Sequence, residues 1–419
     1  MQTSYSQELF LNYCLKLENS IDKYIVKFTI TPATAGLSTN VFNDNDLLNA
    51  FEHLVKRHDT LRTVFSINTK LNKIDCSLSN EIRPPLVRIN LQNMTKDEYT
   101  NIIRMTLKKL NLKNKVSPLV SLIIFSDTNG ETLFCFIHHV AIDGMSIKML
   151  KNELCLLLQK RTLPQLNCSY QDYCKWEKKY MDSEEYKISK KWWETQPKNF
   201  INDLPYLSTF SSSDQSTVYL SKHDIHKFDI LFNKYFKNTF LFTFVTLIFS
   251  LMFRQVTKQS KSCLTGAVSS KYRNEAIGVF VNTVNLIYEI KSEWTLYMFF
   301  RNGLNHFQNV YYHSDVPYQE INNINPQIMI TMDVLQQERD ILGIMNSKFD
   351  LLIEVKYVKN ETFEIYWVYS DGKFSRDTIV SFDLLLNDTI NKIFENQNIS
   401  IGELTEQIKY PDFKFKIQE

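Results

Sequence analysis

The chain has 419 residues, and its 48 Lys and Arg nearly balance its 46 Asp and Glu, giving a formal net charge of +2. This balance, with no clustered basic excess, argues against a nucleic-acid-binding protein. Hydrophobic residues make up 44%, and the 9 Gly and 10 Pro argue against collagen-like, low-complexity and disordered classes. A chain of this length is too long to fold around one ordinary hydrophobic core, so we predict two lobes.

Targeting and redox signals are weak. The 7 cysteines include no Cys-x-x-Cys pair, which predicts neither a zinc ribbon nor a disulfide framework and indicates a reduced, cytoplasmic protein. Residues 1–11 lack the basic start and apolar run of a signal peptide. The uncharged stretch 239–253 is shorter than the roughly 20 residues of a spanning helix, and Lys237 and Arg254 bracket it. We expect a buried core helix there, with a membrane anchor as the less favoured alternative.

The first half of the chain predicts alternating strands and helices. Asp44 or Asp46 is predicted to cap the helix that starts near Leu47. Asp127-Thr128-Asn129-Gly130 is predicted to form a hairpin turn between two strands. In chain order, the pattern predicts a helix over 9–17, a strand over 24–31, a helix over 47–55, a strand near 63–65, a helix over 97–110, strands over 119–125 and 132–140, and a helix over 146–158.

The second half repeats this mixture. Residues 164–205 carry Trp176, Trp192 and Trp193 in a charged, helix-prone segment, and a polar loop over 208–216 follows, so we place the lobe boundary in this region. No repeat of roughly 20–50 residues is visible in the sequence, which argues against a solenoid. Two α/β halves of similar size favour a ligand cleft. The elements predicted beyond the buried helix are strands over 262–268 and 284–290, a helix over 294–311, strands near 327–333, 349–358 and 362–369, and a helix over 376–395.

The sharpest local feature is a pair of histidines at the end of an apolar strand. Strand side chains alternate, so His138 and His139 point to opposite faces, and one can support the strand end while the other faces open space. Imidazole can accept and return a proton near neutral pH. Asp143, four residues after His139, could fix its tautomer or brace the loop by pairing with a base elsewhere. A His-His pair followed by Asp143-Gly144 at this spacing favours a functional site over two ordinary strand-end histidines. A metal site is disfavoured, because the side chains of the two histidines point in opposite directions.

His138-His139-x-x-x-Asp143-Gly144 resembles the signature of condensation domains of nonribosomal peptide synthetases and their relatives in the chloramphenicol-acetyltransferase-like superfamily. Two departures occur. First, the family's late Arg-Asp-x-Ser-Arg motif is not recognisable, and only Asn325-Pro326 is left. Second, the family has an Arg before the motif at 277–283 that pairs with the motif Asp, and here either Lys271 or Arg273 could be the base that pairs with Asp143. Further segments resemble family motifs in the family's order: 4–10 (SYSQELF), 57–65 (RHDTLRTVF), 170–176 (YQDYCKW), 277–283 (IGVFVNT), 313–320 (HSDVPYQE) and 348–351 (KFDL).

The resemblance implies an α/β fold of two chloramphenicol-acetyltransferase-like lobes, 1–178 with the histidine motif and 179–419 with the 277–283 floor loop. It implies that they form a V-shaped pseudo-dimer with a substrate tunnel between them. The implied activity joins a carrier-bound acyl or aminoacyl thioester to an amine, forming an amide. His139 would be the general base or would position the amine, Asp143 would hold the loop, Gly144 would allow close approach, and His138 would support the strand end.

The resemblance also implies the remaining site residues and partners. Lacking an adenylation domain and a Gly-Gly-x-Ser attachment motif, the chain is expected to act in trans, as a monomer, on acyl or peptidyl carrier proteins and a small-molecule or carrier-bound amine. No bound cofactor or metal is expected; the carrier's phosphopantetheine arm belongs to the substrate. An ester-forming O-acyltransferase and a catalytically degenerate carrier-binding scaffold remain alternatives, while Val-Asn-Thr favours condensation over epimerisation. Substrate-binding residues are expected at Asn282, Ser146 and Met145, and supporting residues at Arg62, Tyr170, Lys271 and Arg273.

Overall fold

The computed structural model describes residues 1–16, 25–68, 73–80, 83–107, 110, 119–197, 200–207, 216–321, 327–332 and 349–408. These residues form two compact units. The first contains Met1–Glu185 and Ser269–Val281, and the second contains the remaining described residues. The predicted loop over 208–215, Asn325-Pro326 and Lys348 lie outside the described residues.

The first unit is built around a four-stranded sheet in the order β1-β6-β5-β4, in which only β4 and β5 run parallel. Strands β2 and β3 form a separate antiparallel pair. Its strands are β1 (Ile25–Ile30), β2 (Thr63–Asn68), β3 (Lys73–Leu78), β4 (Leu86–Asn90), β5 (Val120–Asp127) and β6 (Gly130–His138). The helices are α1 (Tyr5–Lys16), α2 (Asp44–Arg57), α3 (Lys96–Leu107), α4 (Gly144–Leu158) and α5 (Tyr170–Met181), and α6 (Glu184–Glu194) follows.

Local sequence signals explain the entry of α2 and the β5–β6 turn. Asn43, and not the predicted Asp44 or Asp46, caps α2, because its side chain accepts the Asp46 backbone N–H (3.0 Å). Both aspartates lie in the first helical turn, where they favour the positive end of the helix dipole. The predicted turn before β6 is confirmed, and its Gly130 has φ of 130°, a conformation that favours glycine.

The second unit contains a six-stranded sheet in the order β7-β12-β11-β10-β8-β9. Strand β10 runs parallel to β8 and β11, while β12 pairs antiparallel with β11 and β7. The strands are β7 (Ser216–Lys222), β8 (Lys261–Ser269), β9 (Val281–Glu289), β10 (Ile328–Met332), β11 (Leu351–Val358) and β12 (Thr362–Ser370). The helices are α7 (Ile225–Phe236), α8 (Leu241–Thr257), α9 (Leu296–Tyr312), α10 (Tyr318–Ile321), α11 (Arg376–Glu395) and α12 (Ile401–Gln407).

The apolar stretch of the second half forms α8, and every side chain from Thr243 to Phe253 is buried. The expectation of a buried core helix is therefore confirmed. Helix α9 packs closely on it, since a Cβ added at Gly303 would lie 2.3 Å from a methyl carbon of Leu247. In the part of the chain that the structure describes, no single helix is long and apolar enough to cross a membrane; α7 and α8 pass that test only together, and they are bent by 109°.

Both halves are α/β, as predicted, but the compact units differ from the predicted lobes in two respects. The division falls after Glu185 and not after residue 178, and Ser269–Val281, predicted within the second lobe, belongs to the first unit. The reason is a set of buried hydrogen bonds from this segment to Asp143 and Ser146, which are described below.

Candidate active site

A tight turn joins the end of strand β6 to the start of helix α4. Strand β6 pairs with β1 as far as His138, which lies opposite Ile25. The chain then turns immediately, with backbone hydrogen bonds from Ala141 to the His138 carbonyl (2.9 Å) and from Ile142 to the His139 carbonyl (3.3 Å). His139 is therefore the first residue after a paired, buried strand, at the kind of strand-to-helix turn where α/β proteins place functional groups.

His138 lies inside the first unit. Its side chain is fully buried, and ring Nδ1 accepts the Val140 backbone N–H (3.1 Å). Burial, with a smaller contribution from the neighbouring His139, lowers the pKa of His138 to about 3. The ring is therefore neutral at physiological pH, and it carries no charge that a reaction could use.

We expect this buried ring to make the protein sensitive to acid. An unfolded histidine titrates near about 6.5, whereas folded His138 titrates near about 3. Between these values only the unfolded chain binds the proton, so stability present above about pH 6.5 is lost as the pH falls. His138→Asn, which keeps an acceptor for Val140, should reduce the slope of unfolding free energy against pH by up to about 1.4 kcal/mol per unit. Urea unfolding at several pH values measures this slope, and equal slopes would contradict the prediction.

His139 occupies a different environment from its neighbour. Its ring is half-buried and stacks on the half-buried Phe10 ring of α1, with 4.5 Å between ring centroids and 25° between ring planes. Phe10 lies within the 4–10 motif, but no local pattern predicts that it stacks on the histidine. Of the two adjacent imidazoles, His139 is thus the one at the edge of the packed interior.

Asp143 braces the turn from within the first unit. Its fully buried carboxylate accepts three hydrogen bonds: Oδ1 from the Ser146 backbone (2.8 Å), which caps α4, and Oδ2 from the Phe280 backbone (3.0 Å) and Arg273 Nη1 (2.7 Å). A buried carboxylate needs such partners because leaving it unpaired is costly. Of the two bases that the sequence left open, Arg273 pairs with Asp143, while Lys271 contacts Glu185 (3.2 Å).

Ser146 differs from its predicted role as a substrate contact. The side chain is fully buried, and its hydroxyl donates to the Gly278 carbonyl (3.0 Å) and accepts from the Gly278 N–H (3.1 Å) and Arg273 Nη2 (2.8 Å). These bonds occupy the hydroxyl fully, so it fastens α4 to the 269–281 segment. Gly144, the first residue of α4, is half-buried, and Met145 is 56% exposed; their substrate roles stay predictions.

The predicted substrate residue Asn282 belongs to the second unit. Its Nδ2 donates to the carbonyls of Ser314 (2.8 Å) and Val316 (2.6 Å), and its Oδ1 accepts the Thr283 N–H (2.9 Å). The amide therefore ties the start of β9 to the 314–316 segment. A contact from Asn282 to substrate stays a prediction.

Tyr170 supports the 269–281 segment from α5. Its buried hydroxyl lies 2.8 Å from the Val279 carbonyl oxygen and 2.7 Å from Ser4 Oγ. The Tyr170 ring covers Gly278 so closely that an added Cβ would lie 2.0 Å from ring carbon Cδ2. Glycine is required at position 278 because any side chain there would overlap the Tyr170 ring. Elsewhere in the 269–281 segment, the Arg273 guanidinium lies 4.6 Å from the centroid of the Phe280 ring, a cation–π distance.

Gly278→Ala is therefore expected to destabilise the first unit by about 1–3 kcal/mol, as overpacking does, and to loosen the bonds to Asp143 and Ser146. Urea unfolding of the variant measures the loss. Tyr170→Leu removes the opposing ring, so the double variant should lose less stability than the sum of the two single variants. Simple additivity would show that the overlap is relieved elsewhere.

Side chains from two other segments that resemble family motifs donate hydrogen bonds to backbone carbonyls of the turn. Gln7 Nε2 donates to the Val140 carbonyl (3.0 Å), and the Thr60 hydroxyl donates to the Ala141 carbonyl. Arg62 pairs with Asp59 (2.8 Å), and its supporting role in the site stays a prediction. The sequence missed the roles of Gln7 and Thr60, although both lie in segments that resemble family motifs. Among the described residues, no group of three or more His, Cys, Asp or Glu side chains could hold a metal ion.

The fold and this turn define an α/β protein of the chloramphenicol-acetyltransferase-like class. Two solved structures show the same fold: the condensation domain of the Monacolin K polyketide synthase MokA (TM-score 0.77, 13% identity, 96% of this chain and 98% of that chain) and the epimerization domain of the third module of tyrocidine synthetase B (TM-score 0.76, 14% identity, 94% and 97%).

The sequence comparisons identify the family. The family model described as Condensation domain matches residues 29–407, so the chain belongs to the condensation-domain family, whose members are in general acyl-transferring enzymes. Bacitracin synthase 3 of Bacillus licheniformis is 23% identical over 365 residues, which cover 79% of this chain. The chain spans only 6% of the length of that relative.

Proposed function

We propose that this protein forms an amide from an acyl or aminoacyl thioester on a carrier protein and an amine acceptor, with His139 as the group that handles the proton. The observation that carries the proposal is the half-buried His139 imidazole on a turn that is held by buried hydrogen bonds to Asp143 and Ser146. Membership of the condensation-domain family supports the choice of acyl transfer.

The proposed reaction transfers one acyl group and moves one proton. The amine nitrogen attacks the thioester carbonyl carbon, a C–N bond forms, and the C–S bond breaks. An α-amino group titrates near about 7.7–8.0 and an imidazole near about 6.5, so a proton passes between them at little cost at neutral pH. His139 would take the proton from the attacking nitrogen and return it to the leaving thiolate. No covalent bond to the protein is required.

The carboxylate of Asp143 supports this role indirectly. Its two oxygens are occupied by Arg273 and by the backbones of Ser146 and Phe280. It therefore holds the turn that presents His139, and it is a positioning residue within the proposed mechanism. The buried, neutral His138 completes the strand end and leaves proton transfer to His139.

The proposed donor is a thioester on the phosphopantetheine arm of a separate carrier protein, supplied in trans. Purified protein is incubated with carrier proteins loaded with aminoacyl or fatty-acyl groups, and with a free amine, a carrier-bound amine or an alcohol. Mass spectrometry identifies the product. An amide supports the proposal. An ester as the only product would instead assign an O-acyltransferase, and carrier binding without any product would assign a scaffold.

A further inference from the structure

Helix α1 contacts the turn that carries His139 at two points. The Gln7 side-chain amide donates to the Val140 carbonyl (3.0 Å), and the Phe10 ring stacks on the His139 imidazole (4.5 Å between centroids). Residues three apart lie on the same face of a helix. A single face of α1 therefore binds both the backbone after His139 and the His139 ring itself.

The helix that makes these contacts is itself anchored. The Tyr5 backbone N–H donates to Glu177 Oε2 of α5 (2.8 Å), and Ser6 Oγ donates to the Val281 carbonyl (2.6 Å). Ser4 Oγ lies 2.7 Å from the hydroxyl of Tyr170. Helix α1 is thus fastened to α5 and to the segment that binds Asp143, so the position of the Phe10 ring is set by the same framework as the turn.

Fixing the backbone of the turn does not fix the imidazole. The orientation of a histidine ring also depends on two side-chain torsions, and the bonds of Asp143 and Ser146 hold the backbone of the turn, α4 and Arg273 without contacting the imidazole. Phe10 meets the ring face to face, with 25° between planes, and so favours one orientation of the imidazole over the alternatives. Proton transfer depends steeply on such orientation, because a misplacement of about 1 Å can reduce a rate by about 100-fold.

We propose that Phe10 is a positioning residue for His139, which sets the plane of the imidazole so that its nitrogen faces the attacking amine. This inference rests on the proposed function for its effect on rate. The stacking of the two rings can be tested without any substrate.

The test combines spectra and kinetics. The chain contains 8 His, so the ring protons of labelled histidine can be resolved by NMR, and the His139→Ala spectrum assigns position 139. Phe10→Leu removes the aromatic ring and retains bulk, Phe10→Tyr retains the ring, and Tyr99→Leu removes a half-buried ring of α3 that packs on Phe125 instead. Rates are measured with the donor and amine acceptor that react in the assay above, and thermal unfolding shows whether each variant folds.

Phe10→Leu is expected to shift the His139 ring-proton resonances, because the ring current of Phe10 is lost, and to lower kcat by about 10- to 100-fold with little change in KM. Phe10→Tyr should restore both, and Tyr99→Leu should change neither. Unshifted resonances in Phe10→Leu would overturn the inference, as would a shift with unchanged kcat. If the wild-type protein forms no amide, the proposed function fails, while the spectra still decide whether Phe10 holds the imidazole.

Discussion

His139→Ala is expected to lower the rate of amide formation by about 10²–10⁴-fold, the usual contribution of a general acid–base group. The substitution removes the only imidazole of the pair that reaches the edge of the packed interior, since His138 is fully buried. The binding of the loaded carrier protein should be retained, so kcat falls with little change in KM. Single-turnover product formation, followed by mass spectrometry, measures the effect.

The matched control is His53→Ala. His53 lies exposed on α2 of the same unit, so its removal should leave both the rate and the stability unchanged. A His139→Ala variant that turns over at the wild-type rate would exclude the mechanism. A comparable loss of rate in the control would show that the assay responds to histidine content or to folding and not to the turn.

The second large effect is expected at the buried ion pair. Asp143→Ala and Arg273→Met each leave the other charge buried without its partner, and such losses usually cost about 3–5 kcal/mol. Asp143→Ala also removes the cap of α4 and the acceptor for Phe280. We therefore expect both variants to lose stability and most of their activity. Urea unfolding and the amide assay measure the two effects.

Lys271→Met is the matched control for this pair. Lys271 is the other base that the sequence offered, and it pairs with the partly exposed Glu185, so its removal should cost about 0–1 kcal/mol. Similar losses in Lys271→Met and Arg273→Met would contradict the structural assignment. The double variant of Asp143→Ala and Arg273→Met should lose less stability than the sum of the single variants, because it leaves neither charge uncompensated.

Local pattern was enough to predict much of the fold. The apolar run that forms α8, the apolar runs and the turn that form β5 and β6, and the order of α/β elements all depend on neighbouring residues, which one sequence displays directly. The predicted caps of α2, Asp44 or Asp46, lie one and three residues after the observed cap, Asn43. Asn43, Asp44 and Asp46 are all suitable caps in isolation, and only the hydrogen bond from Asp46 to Asn43 distinguishes them.

The site could be predicted as a motif but not as a set of contacts. Asp143 and Arg273 are separated by 130 positions, and periodicity carries no information about which of two nearby bases crosses that distance. The stacking of Phe10 on His139 and the overlap that requires Gly278 depend on the tertiary packing of α1 and α5. The prediction for Ser146 differs from the structure for a related reason. A serine that follows a motif can make a buried hydrogen bond within the protein or contact a substrate, and the sequence does not distinguish the two.

The placement of Ser269–Val281 constrains how this protein can be recombined with its relatives. The chain leaves the second unit after β8, contributes these residues to the first, and returns at β9. A chimera joined at residue 185 would take Asp143 and Tyr170 from one parent, and Arg273 and Gly278 from another. Among the described residues, exchange of the first unit as a functional piece therefore requires two further crossovers, one on each side of Ser269–Val281, so that both segments come from the same parent.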